Sequence, residues 1–355
     1  MPDAAGARLL LAELTTLGVG GEAGELLVAT SREEVMAGLA GAQQAGRPLL
    51  VLGGGSNVVI GDAGFPGTVL RMATTGRTAV HDGDDVLVSV EAGEEWGSFV
   101  DSCVEEGLAG VECLAGIPGS VGAVPVQNVG AYGQEVSATI ESVEVWDRRA
   151  GAFAVLDAAA CGFGYRTSRF KHRDQMVILS ATFRLRRSSM SEPIRYSELA
   201  RSLSAGVGER RPLAEVRDSV VALRRGKGMV IDPGDPDTRS VGSFFTNPVL
   251  SPTRVAELEG RVADLAGAPA AVPTFPADDG RLKVPAAWLI ERAGFERGFE
   301  MGDAAISTKH TLALTVRRGR SAEPLLVLAR AIRDRVEAVL GVVLEPEPVL
   351  VGVAL

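Results

Sequence analysis

Three consecutive glycines stand between two apolar runs early in the chain, a pattern that can bind phosphate. The motif consists of Gly53, Gly54, Gly55, Ser56 and Asn57. Successive glycines allow positive φ angles, so peptide N–H groups can converge on an anion while Ser56 and Asn57 add side-chain donors. The alternative is a tight hairpin between Leu49–Leu52 and Val58–Ile60 without any ligand. The three glycines alone do not decide between a backbone nest and a hairpin.

A second glycine-rich loop favours the nest. It spans Ala115–Gly133 and contains five glycines and two prolines within an otherwise apolar passage. Such a backbone can pass close to a large planar or polyphosphate ligand with few side chains in between. Gln127 and Asn128 in this loop can hydrogen-bond the edge of a heterocycle. Two such loops in separate α/β units indicate a dinucleotide cofactor clamped between domains.

A third glycine motif, Gly18–Ala23, formally matches the G-x-G-x-x-G/A pattern of Rossmann domains. No clear parallel-strand pattern precedes it, and the motif Gly53–Gly55 is followed by an extended run rather than a helix. The sequence therefore argues against a Rossmann fold at either position.

The two longer loops resemble the flavin-binding loops of the UDP-N-acetylenolpyruvoylglucosamine reductase family, flavoenzymes of peptidoglycan precursor synthesis. The matching strings are Leu52–Asn57, Gly116–Gly122 and Gln127–Gly133. Further matching motifs, which extend the resemblance over nearly the whole chain, are Thr15–Gly21, Tyr165–Lys171, Gly242–Pro248 and Leu344–Glu347. Tyr196 and the long segment 188–223 resemble the subgroup with an extra tyrosine loop over the bound uridine nucleotide.

What the resemblance implies is a two-step redox reaction. NADPH reduces a non-covalently bound FAD, which then passes hydride to the enolpyruvyl group of UDP-N-acetylglucosamine enolpyruvate, and the product is UDP-N-acetylmuramate. The implied FAD-binding residues are Gly53, Gly54, Gly55, Ser56, Asn57, Ile117, Pro118, Gly119, Ser120, Gly122, Ala123, Gln127, Asn128, Gly130 and Ala131.

The resemblance also implies three catalytic residues, Arg166, Ser243 and Glu347. Hydride addition at the terminal vinyl carbon leaves negative charge on the adjacent carboxylate, and the guanidinium fork of Arg166 suits that charge. Ser243 matches the family's proton donor, and it must lie directly over the basic carbon because a serine hydroxyl is a weak acid. Glu347 matches the glutamate that stabilises the enolic intermediate, although Glu345 competes for this role and Pro348 stands where valine is frequent.

Four further residues are expected to bind the substrate: Tyr165, Tyr196, Lys227 and Asn247. Lys227 lies where the family binds the phosphates of the substrate, and Asn247 lies beside the Ser243 motif. Tyr196 matches the tyrosine of the extra loop, with a buried or stacking aromatic side chain as the alternative.

Two other functions remain open from the sequence. A flavoprotein oxidase would share the FAD-binding blocks but use another electron donor or acceptor, and a flavin- or nucleotide-binding regulator would keep the fold without the reaction. The motifs Gly242–Phe245 and Leu344–Glu347 have no role in such oxidases. All three catalytic positions carry chemically competent side chains, which disfavours a regulator.

These motifs predict an α+β protein of three domains. A two-part FAD-binding module comprises a small α/β unit at residues 1–75 and a larger mixed-sheet unit at residues 76–222. A substrate-binding α+β domain follows at residues 223–341. The segment 342–355 carries Glu347 back to the FAD-binding module.

Local patterns predict the elements that position the motifs. Helical patterns cover Ser31–Ala45, Glu95–Gly107, Pro285–Ala293 and Pro324–Leu340. The first of them begins with a capping box formed by Ser31 and Glu34. Strand alternation marks Asp85–Glu91, Ile140–Trp146 and Val177–Leu185. A loop rich in glycine, proline and aspartate, residues 224–241, opens the third domain.

Composition bounds the class of partner. The 355 residues are 46% hydrophobic, and a net charge of −9 supplies no basic field for nucleic acid. Cys103, Cys113 and Cys161 lack CxxC spacing, which predicts reduced thiols and no metal site. No apolar run reaches about 18 residues, and Met1–Gly6 lacks the features of a secretory signal. We expect a cytoplasmic monomer or weak oligomer with small-molecule partners, binding neither nucleic acid nor membrane.

Overall fold

The computed structural model describes residues 10–267 and 271–355, so the expectation for Met1–Gly6 lies outside the described residues. Two compact units divide the chain. Unit 1 contains residues 22–56 and 65–230. Unit 2 contains residues 10–21, 57–64 and 231–355. The domain boundaries at residues 75, 222 and 341 stay predictions, and both predicted FAD-binding subdomains lie mainly in unit 1.

Helices and strands alternate irregularly along the chain. The strands are β1 (Ala23–Ala29), β2 (Leu49–Leu52), β3 (Val58–Ile60), β4 (Phe65–Met72), β5 (Arg77–Asp82), β6 (Asp85–Glu91), β7 (Leu108–Ala109), β8 (Gly130–Ala131), β9 (Gln134–Glu135), β10 (Ile140–Asp147), β11 (Ala152–Asp157), β12 (Met176–Arg187), β13 (Val249–Leu250), β14 (Phe275–Pro276), β15 (Leu282–Lys283), β16 (Glu300–Met301), β17 (Ala304–Ile306), β18 (Leu314–Val316) and β19 (Val349–Val351). The helices are α1 (Arg32–Gln44), α2 (Trp96–Glu105), α3 (Ser197–Ser202), α4 (Leu213–Gly226), α5 (Pro252–Ala266), α6 (Ala286–Arg292) and α7 (Glu323–Leu340). The predicted α+β class is confirmed.

A small parallel sheet of order β1-β4-β2 leads into the first glycine motif of unit 1. Its helix α1 begins at the predicted capping box, where the Ser31 hydroxyl accepts the backbone N–H of Glu34 at 3.2 Å. The Glu34 carboxylate in turn accepts the backbone N–H of Thr30 at 2.7 Å. The buried face of α1, which includes Val35 and Leu39, packs against this sheet. The sheet therefore fixes where β2 ends and the glycines begin.

The hairpin alternative for the three glycines is wrong. The strand before them, β2, pairs in parallel with β4 in unit 1. The strand after them, β3, pairs in parallel with β19 in unit 2. The glycines therefore join two strands of different sheets instead of turning one sheet back on itself.

A larger antiparallel sheet of order β11-β10-β12-β6-β5 completes unit 1. The helix α2 packs on it through an aromatic cluster in which Trp96, Phe99 and Phe183 have ring centroids 5.0 to 5.8 Å apart. The Trp96 ring N–H also donates to the carbonyl of Leu114 at 3.1 Å. This buried cluster therefore anchors the chain just ahead of the second glycine-rich loop.

Unit 2 is built from short strands covered by helices. Its sheets have the orders β13-β15-β14, β16-β17-β18 and β19-β3. The apolar face of α7 is buried as the 3.6-residue period predicts, at Leu325, Leu328, Ile332 and Val336. The predicted return of segment 342–355 reaches residues 58–60, which belong to unit 2.

Three helices were not predicted. The helix α4 runs through the predicted boundary at residue 222 and takes the first residues of the predicted loop 224–241. The short helix α3 lies in the segment that carries Tyr196. The helix α5 begins at Pro252, where the Ser251 hydroxyl accepts the backbone N–H of Arg254 at 3.3 Å.

The three cysteines are buried free thiols. Desolvation raises the pKa of Cys103 to about 12 and that of Cys161 to about 11, so both thiols stay protonated at neutral pH. Within residues 10–267 and 271–355, none of the helices combines the length and apolarity needed to cross a bilayer. The same ranges contain no cluster of three potential metal ligands.

Candidate functional site

The two glycine-rich loops predicted to bind one cofactor touch each other inside unit 1. A Cβ atom on Gly54 would lie 2.8 Å from Cα of Gly119, and one on Gly53 would clash with the hydroxyl of Ser120. The Ser56 hydroxyl donates to the carbonyl of Pro118 at 3.0 Å. A side chain at Gly53 or Gly54 would not fit into this contact, whose polar groups are backbone amides and the hydroxyls of Ser56 and Ser120.

Ser120 carries an unpartnered hydroxyl at this contact. Its side chain is buried, and its Oγ has no hydrogen-bond partner in the protein. Buried hydroxyl groups are normally hydrogen-bonded, so an orphaned one beside a backbone cradle indicates a polar ligand. The donor set, neutral N–H and O–H groups without carboxylates, suits a pyrophosphate.

The second loop is hydrogen-bonded to the N-terminal end of α2 and to the segment just before it. The backbone N–H of Trp96 donates to the carbonyl of Gly119 at 3.0 Å, and that of Gly122 donates to the carbonyl of Ala92 at 2.8 Å. Gly119 has a φ of +122°, which an L side chain rarely adopts. The remaining predicted cofactor residues of this loop are half-buried: Ile117, Pro118, Ala123, Gln127, Gly130 and Ala131.

Asn128 stabilises the second loop from within. It is buried with a φ of +48°, and its amide nitrogen donates to the Glu135 carboxylate at 2.9 Å and to the Gly164 carbonyl at 3.1 Å. Its amide oxygen accepts the backbone N–H of Ser137 at 3.1 Å. Both amide protons of Asn128 are therefore used inside the protein, and its predicted contact with the cofactor stays a prediction.

Arg166 lies against the carbonyl groups of the second loop. Its guanidinium donates to the carbonyl of Gly130 at 2.7 Å and to that of Asn128 at 3.4 Å. The Glu135 carboxylate is 4.0 Å away, and the Tyr165 ring centroid is 5.5 Å from the guanidinium carbon. Arg166 has a φ of +52°, an unusual value for a residue with a Cβ. The two carbonyl groups therefore hold the guanidinium in place.

Two predicted substrate residues meet around an aromatic side chain that was not predicted. The ring of Tyr132 stacks edge-to-face with that of Tyr196 at 5.5 Å, and the Lys227 ammonium lies 5.4 Å from its centroid. Desolvation raises the pKa of the Tyr132 phenol to about 12, so it stays neutral. This tyrosine belongs to the motif Gln127–Gly133, but the sequence does not show that Tyr196 and Lys227 lie beside it. Only the folded chain brings these three residues together.

Arg224 is a second site residue that sequence reasoning missed. It is nine-tenths buried, and its Nε has no hydrogen-bond partner, while its Nη2 donates to the Met229 carbonyl at 2.9 Å. A Cβ on Gly116 would lie 3.6 Å from this Nε. Burial lowers the pKa of Arg224 to about 10, which leaves it charged at neutral pH. One signal in the sequence could have identified it. Arg224 lies four residues after Val220 in α4, and therefore on the same face of the helix as that buried valine.

Ser243 and Glu347 are brought together in unit 2 by the backbone. Ser243 forms an antiparallel bridge with Ala313, and the backbone N–H of Phe244 donates to the carbonyl of Leu312 at 2.8 Å. On the other side, the backbone N–H of Glu347 donates to the carbonyl of Phe244 at 2.9 Å. The predicted proton donor and the predicted acid therefore lie on adjacent backbone segments.

Three further residues near Ser243 and Glu347 make their own hydrogen bonds within unit 2. Glu345, the competing acid, is exposed, and its carbonyl accepts the backbone N–H of Thr246 at 3.0 Å. The Asn247 amide oxygen accepts the backbone N–H of Ala286 at 2.8 Å, which ties it to the start of α6. Asn57 also lies in unit 2, where its carbonyl accepts the backbone N–H of Val349 at 3.0 Å.

Both parts of the chain match known protein families. Residues 25–156 match an FAD binding domain, and residues 235–351 match the C-terminal domain of UDP-N-acetylenolpyruvoylglucosamine reductase. The chain is 54% identical over 346 residues to the Thermobifida fusca UDP-N-acetylenolpyruvoylglucosamine reductase, with 97% of each chain covered. It is 53% identical over 347 residues to the Streptomyces coelicolor protein of the same name, covering 97% of this chain and 90% of the relative.

The fold also matches a solved structure over nearly its full length. The crystal structure of UDP-N-acetylenolpyruvylglucosamine reductase from Thermus caldophilus aligns with a TM-score of 0.64 and 27% sequence identity. The alignment covers 97% of this chain and 98% of that one.

Proposed function

The chain belongs to the UDP-N-acetylenolpyruvoylglucosamine reductase family, and we propose from this premise that it uses FAD and NADPH to reduce UDP-N-acetylglucosamine enolpyruvate. The product is UDP-N-acetylmuramate, a precursor of peptidoglycan. The share of each relative that is covered, 90% or more, supports an activity of the whole chain instead of one shared domain.

The contact between the two glycine-rich loops carries this proposal. Gly53 and Gly54 meet Gly119 and Ser120 with no space for a further side chain, and the Ser120 hydroxyl lacks a partner. The backbone amides of two glycine-rich loops in contact and an orphaned hydroxyl fit the pyrophosphate of FAD. We assign the pyrophosphate to these four residues. The other proposed FAD contacts are Gly55, Ser56, Asn57, Ile117, Pro118, Gly122, Ala123, Gln127, Asn128, Gly130 and Ala131.

When bound, FAD supplies the hydride that the enolpyruvyl group receives. The protein's part is to stabilise the negative charge that develops on the adjacent carboxylate of the substrate. Arg166 is proposed for this task, since its guanidinium has five donors and its orientation is fixed by the carbonyls of Asn128 and Gly130. Tyr165, beside it in sequence, is proposed to contact the substrate.

Ser243 is proposed to deliver a proton to the second carbon of the enolpyruvyl group, and Glu347 to stabilise the enolic form. A hydroxyl can act as an acid only if it is held in place, and backbone hydrogen bonds on both sides of Phe244 hold the Ser243 segment. The Glu347 backbone is one of these partners, so the acid and the hydroxyl are positioned together.

Lys227 and Tyr196 are proposed to bind the diphosphate and the nucleoside of the substrate, and Asn247 to contact it near Ser243. An ammonium suits a diphosphate as a point charge, and Lys227 is half-buried beside the Tyr132 ring. Arg224 is proposed to place positive charge behind the second loop, because no carboxylate among residues 10–267 and 271–355 forms an ion pair with it.

An optical experiment tests the proposal. The purified protein is expected to be yellow, to bleach on anaerobic addition of NADPH, and to regain colour when UDP-N-acetylglucosamine enolpyruvate is added. Bleaching without recovery of colour would contradict the substrate assignment, and colourless protein that binds no added FAD would contradict the cofactor. The same measurement with NADH determines which nicotinamide nucleotide is preferred.

The setting of the reaction follows from the substrate. Uridine-nucleotide precursors of peptidoglycan are made in the cytoplasm, and we propose that the protein acts there as a monomer or weak oligomer. Cell fractionation tests the location, and sedimentation velocity tests the oligomeric state.

A further inference from the structure

The Lys227 ammonium already has an anionic partner in the protein. Its Nζ lies 2.5 Å from Oε2 of Glu198, and the two side chains are 28% and 32% exposed. The same ammonium faces the Tyr132 ring, 5.4 Å from its centroid. The proposed phosphate-binding residue is therefore occupied by a carboxylate when the protein is free.

Glu198 belongs to the segment that carries Tyr196. It lies in the first turn of α3, and Tyr196 is the residue that precedes this helix. The Tyr196 ring stacks on Tyr132 at 5.5 Å, and a Cβ on Gly133 would lie 2.9 Å from the Cβ of Arg195. The ion pair to Lys227 adds a further attachment, because it ties this segment to the C-terminal end of α4, and the Lys227 ammonium lies over the Tyr132 ring of the second glycine-rich loop.

A carboxylate and a phosphate cannot share one ammonium without cost. Both are anions, and both seek the same N–H donors of Lys227, so their mutual repulsion opposes simultaneous binding. The Glu198 side chain is partly exposed and can rotate toward solvent, whereas the Lys227 ammonium is held over the Tyr132 ring. Departure of the carboxylate is thus the easier response to an arriving diphosphate.

We propose that Glu198 is an internal competitor for Lys227, displaced when the diphosphate of a uridine nucleotide binds. This inference rests on the proposed function, because it takes Lys227 as the phosphate contact. Glu198 acts through Lys227 and lowers the affinity for the nucleotide, and its release removes the ion pair between α3 and the C-terminal end of α4. A purely structural ion pair would instead support the site, and its loss would not strengthen binding.

The experiment measures binding of UDP to the FAD-loaded protein by isothermal titration calorimetry. Glu198→Gln is expected to tighten UDP binding about two- to fivefold, the range that follows when a partly exposed ion pair no longer has to be broken. Lys227→Met is expected to weaken UDP binding. In the double variant, the Glu198→Gln change is expected to have no further effect, because the group it competes for has been removed.

A matched control is Glu25→Gln, which removes the carboxylate of another half-exposed ion pair in unit 1. Glu25 lies 3.0 Å from the Arg47 guanidinium and should leave UDP affinity unchanged. The inference is overturned if Glu198→Gln binds UDP as the wild type does or more weakly, or if it tightens binding equally in the Lys227→Met background. If neither the wild type nor Glu198→Gln bound UDP, both this inference and the proposed function would fail.

Discussion

At the scale of single residues, the proposed proton donor is positioned by its backbone and not by its side chain. Ser243 bridges to Ala313, and the following residue, Phe244, bonds to Leu312 and Glu347 through its main chain. The hydroxyl can therefore be removed without disturbing the segment that presents it. A variant without the Ser243 hydroxyl therefore tests proton transfer without changing the local structure.

Ser243→Ala is expected to be reduced by NADPH at the wild-type rate but to be reoxidised by the enolpyruvyl nucleotide about 10²- to 10⁴-fold more slowly. That range is the usual contribution of a positioned general acid. Anaerobic stopped-flow absorbance measures the two steps separately. Ser219→Ala is the control, because it removes a hydroxyl of α4 that bonds to Ser202. Wild-type reoxidation by Ser243→Ala would exclude the hydroxyl from the reaction.

Arg166→Lys is expected to lower kcat/KM for the enolpyruvyl nucleotide roughly 10- to 100-fold, with reduction by NADPH unchanged. The lysine keeps the charge but cannot hold the Gly130 carbonyl and a carboxylate with one planar fork, and a hydrogen bond to a charged group contributes about 1.5–3 kcal/mol. Steady-state kinetics measure the effect. The control, Arg169→Lys, changes an arginine in the same segment that bonds to the Ala160 carbonyl. Equal losses in both variants would contradict a specific role for Arg166.

At the scale of elements, the glycines allow the two loops to approach each other closely. Gly54 approaches Gly119 so closely that even a methyl group would push one backbone away from the other. The strain falls on the loops proposed to hold the pyrophosphate, since α2 fixes the far side of the second loop.

Gly54→Ala is expected to weaken FAD binding roughly 5- to 150-fold, which corresponds to the about 1–3 kcal/mol that overpacking costs. Equilibrium dialysis of the apoprotein with FAD measures it. In contrast, Gly41→Ala in α1 introduces a methyl group that meets nothing within 4 Å, and should stabilise the fold by about 0.5–1 kcal/mol with FAD affinity unchanged. Normal FAD binding by Gly54→Ala would contradict the close approach of the loops.

Local sequence patterns predicted many of the helices and strands, and there is a physical reason why they did not predict the others. Ser31 with Glu34 predicts the start of α1, and Ser251 with Pro252 is a comparable start signal for α5, a helix that was not predicted. The predicted boundary at residue 222 lies inside α4, which continues to Gly226. A helix such as α4 is stabilised by its buried face, at Leu213, Val216 and Val220, and local composition alone does not show which face will be buried.

The candidate site was predicted as motifs but not as an arrangement. Resemblance supplied Lys227 and Tyr196, whereas Tyr132 and Glu198 became visible only when the fold placed them beside those residues. No local pattern encodes that a carboxylate from one helix meets an ammonium 29 residues later. The burial of Arg224 behind Gly116 has the same origin.

At the scale of the whole molecule, unit 2 depends on two early segments of the chain. Leu17, Val19 and Val59 belong to its buried core, and β3 supplies the partner of β19. Burial of three such side chains contributes about 5–9 kcal/mol, which is comparable to the total stability of many domains.

A fragment of residues 231–355 is therefore expected to lack a cooperative thermal transition. Near-ultraviolet circular dichroism during heating measures this. The control joins residues 10–21, 57–64 and 231–355 through glycine-serine linkers and is expected to unfold cooperatively. A sharp transition in the fragment alone would contradict the proposed dependence on the early segments.

The parallel pairing of β3 with β19 also constrains how the chain folds as it is made. Ile60 pairs with Val351, about 290 residues later. At a synthesis rate of roughly 5–20 residues per second, β3 leaves the ribosome roughly 15–60 s before its partner strand exists. The residues of unit 1 are complete well before that, so Val58–Ile60, three fully apolar residues, wait as an unpaired strand edge. The nascent chain therefore exposes an aggregation-prone apolar strand directly after Gly53–Asn57 until its last residues have been made.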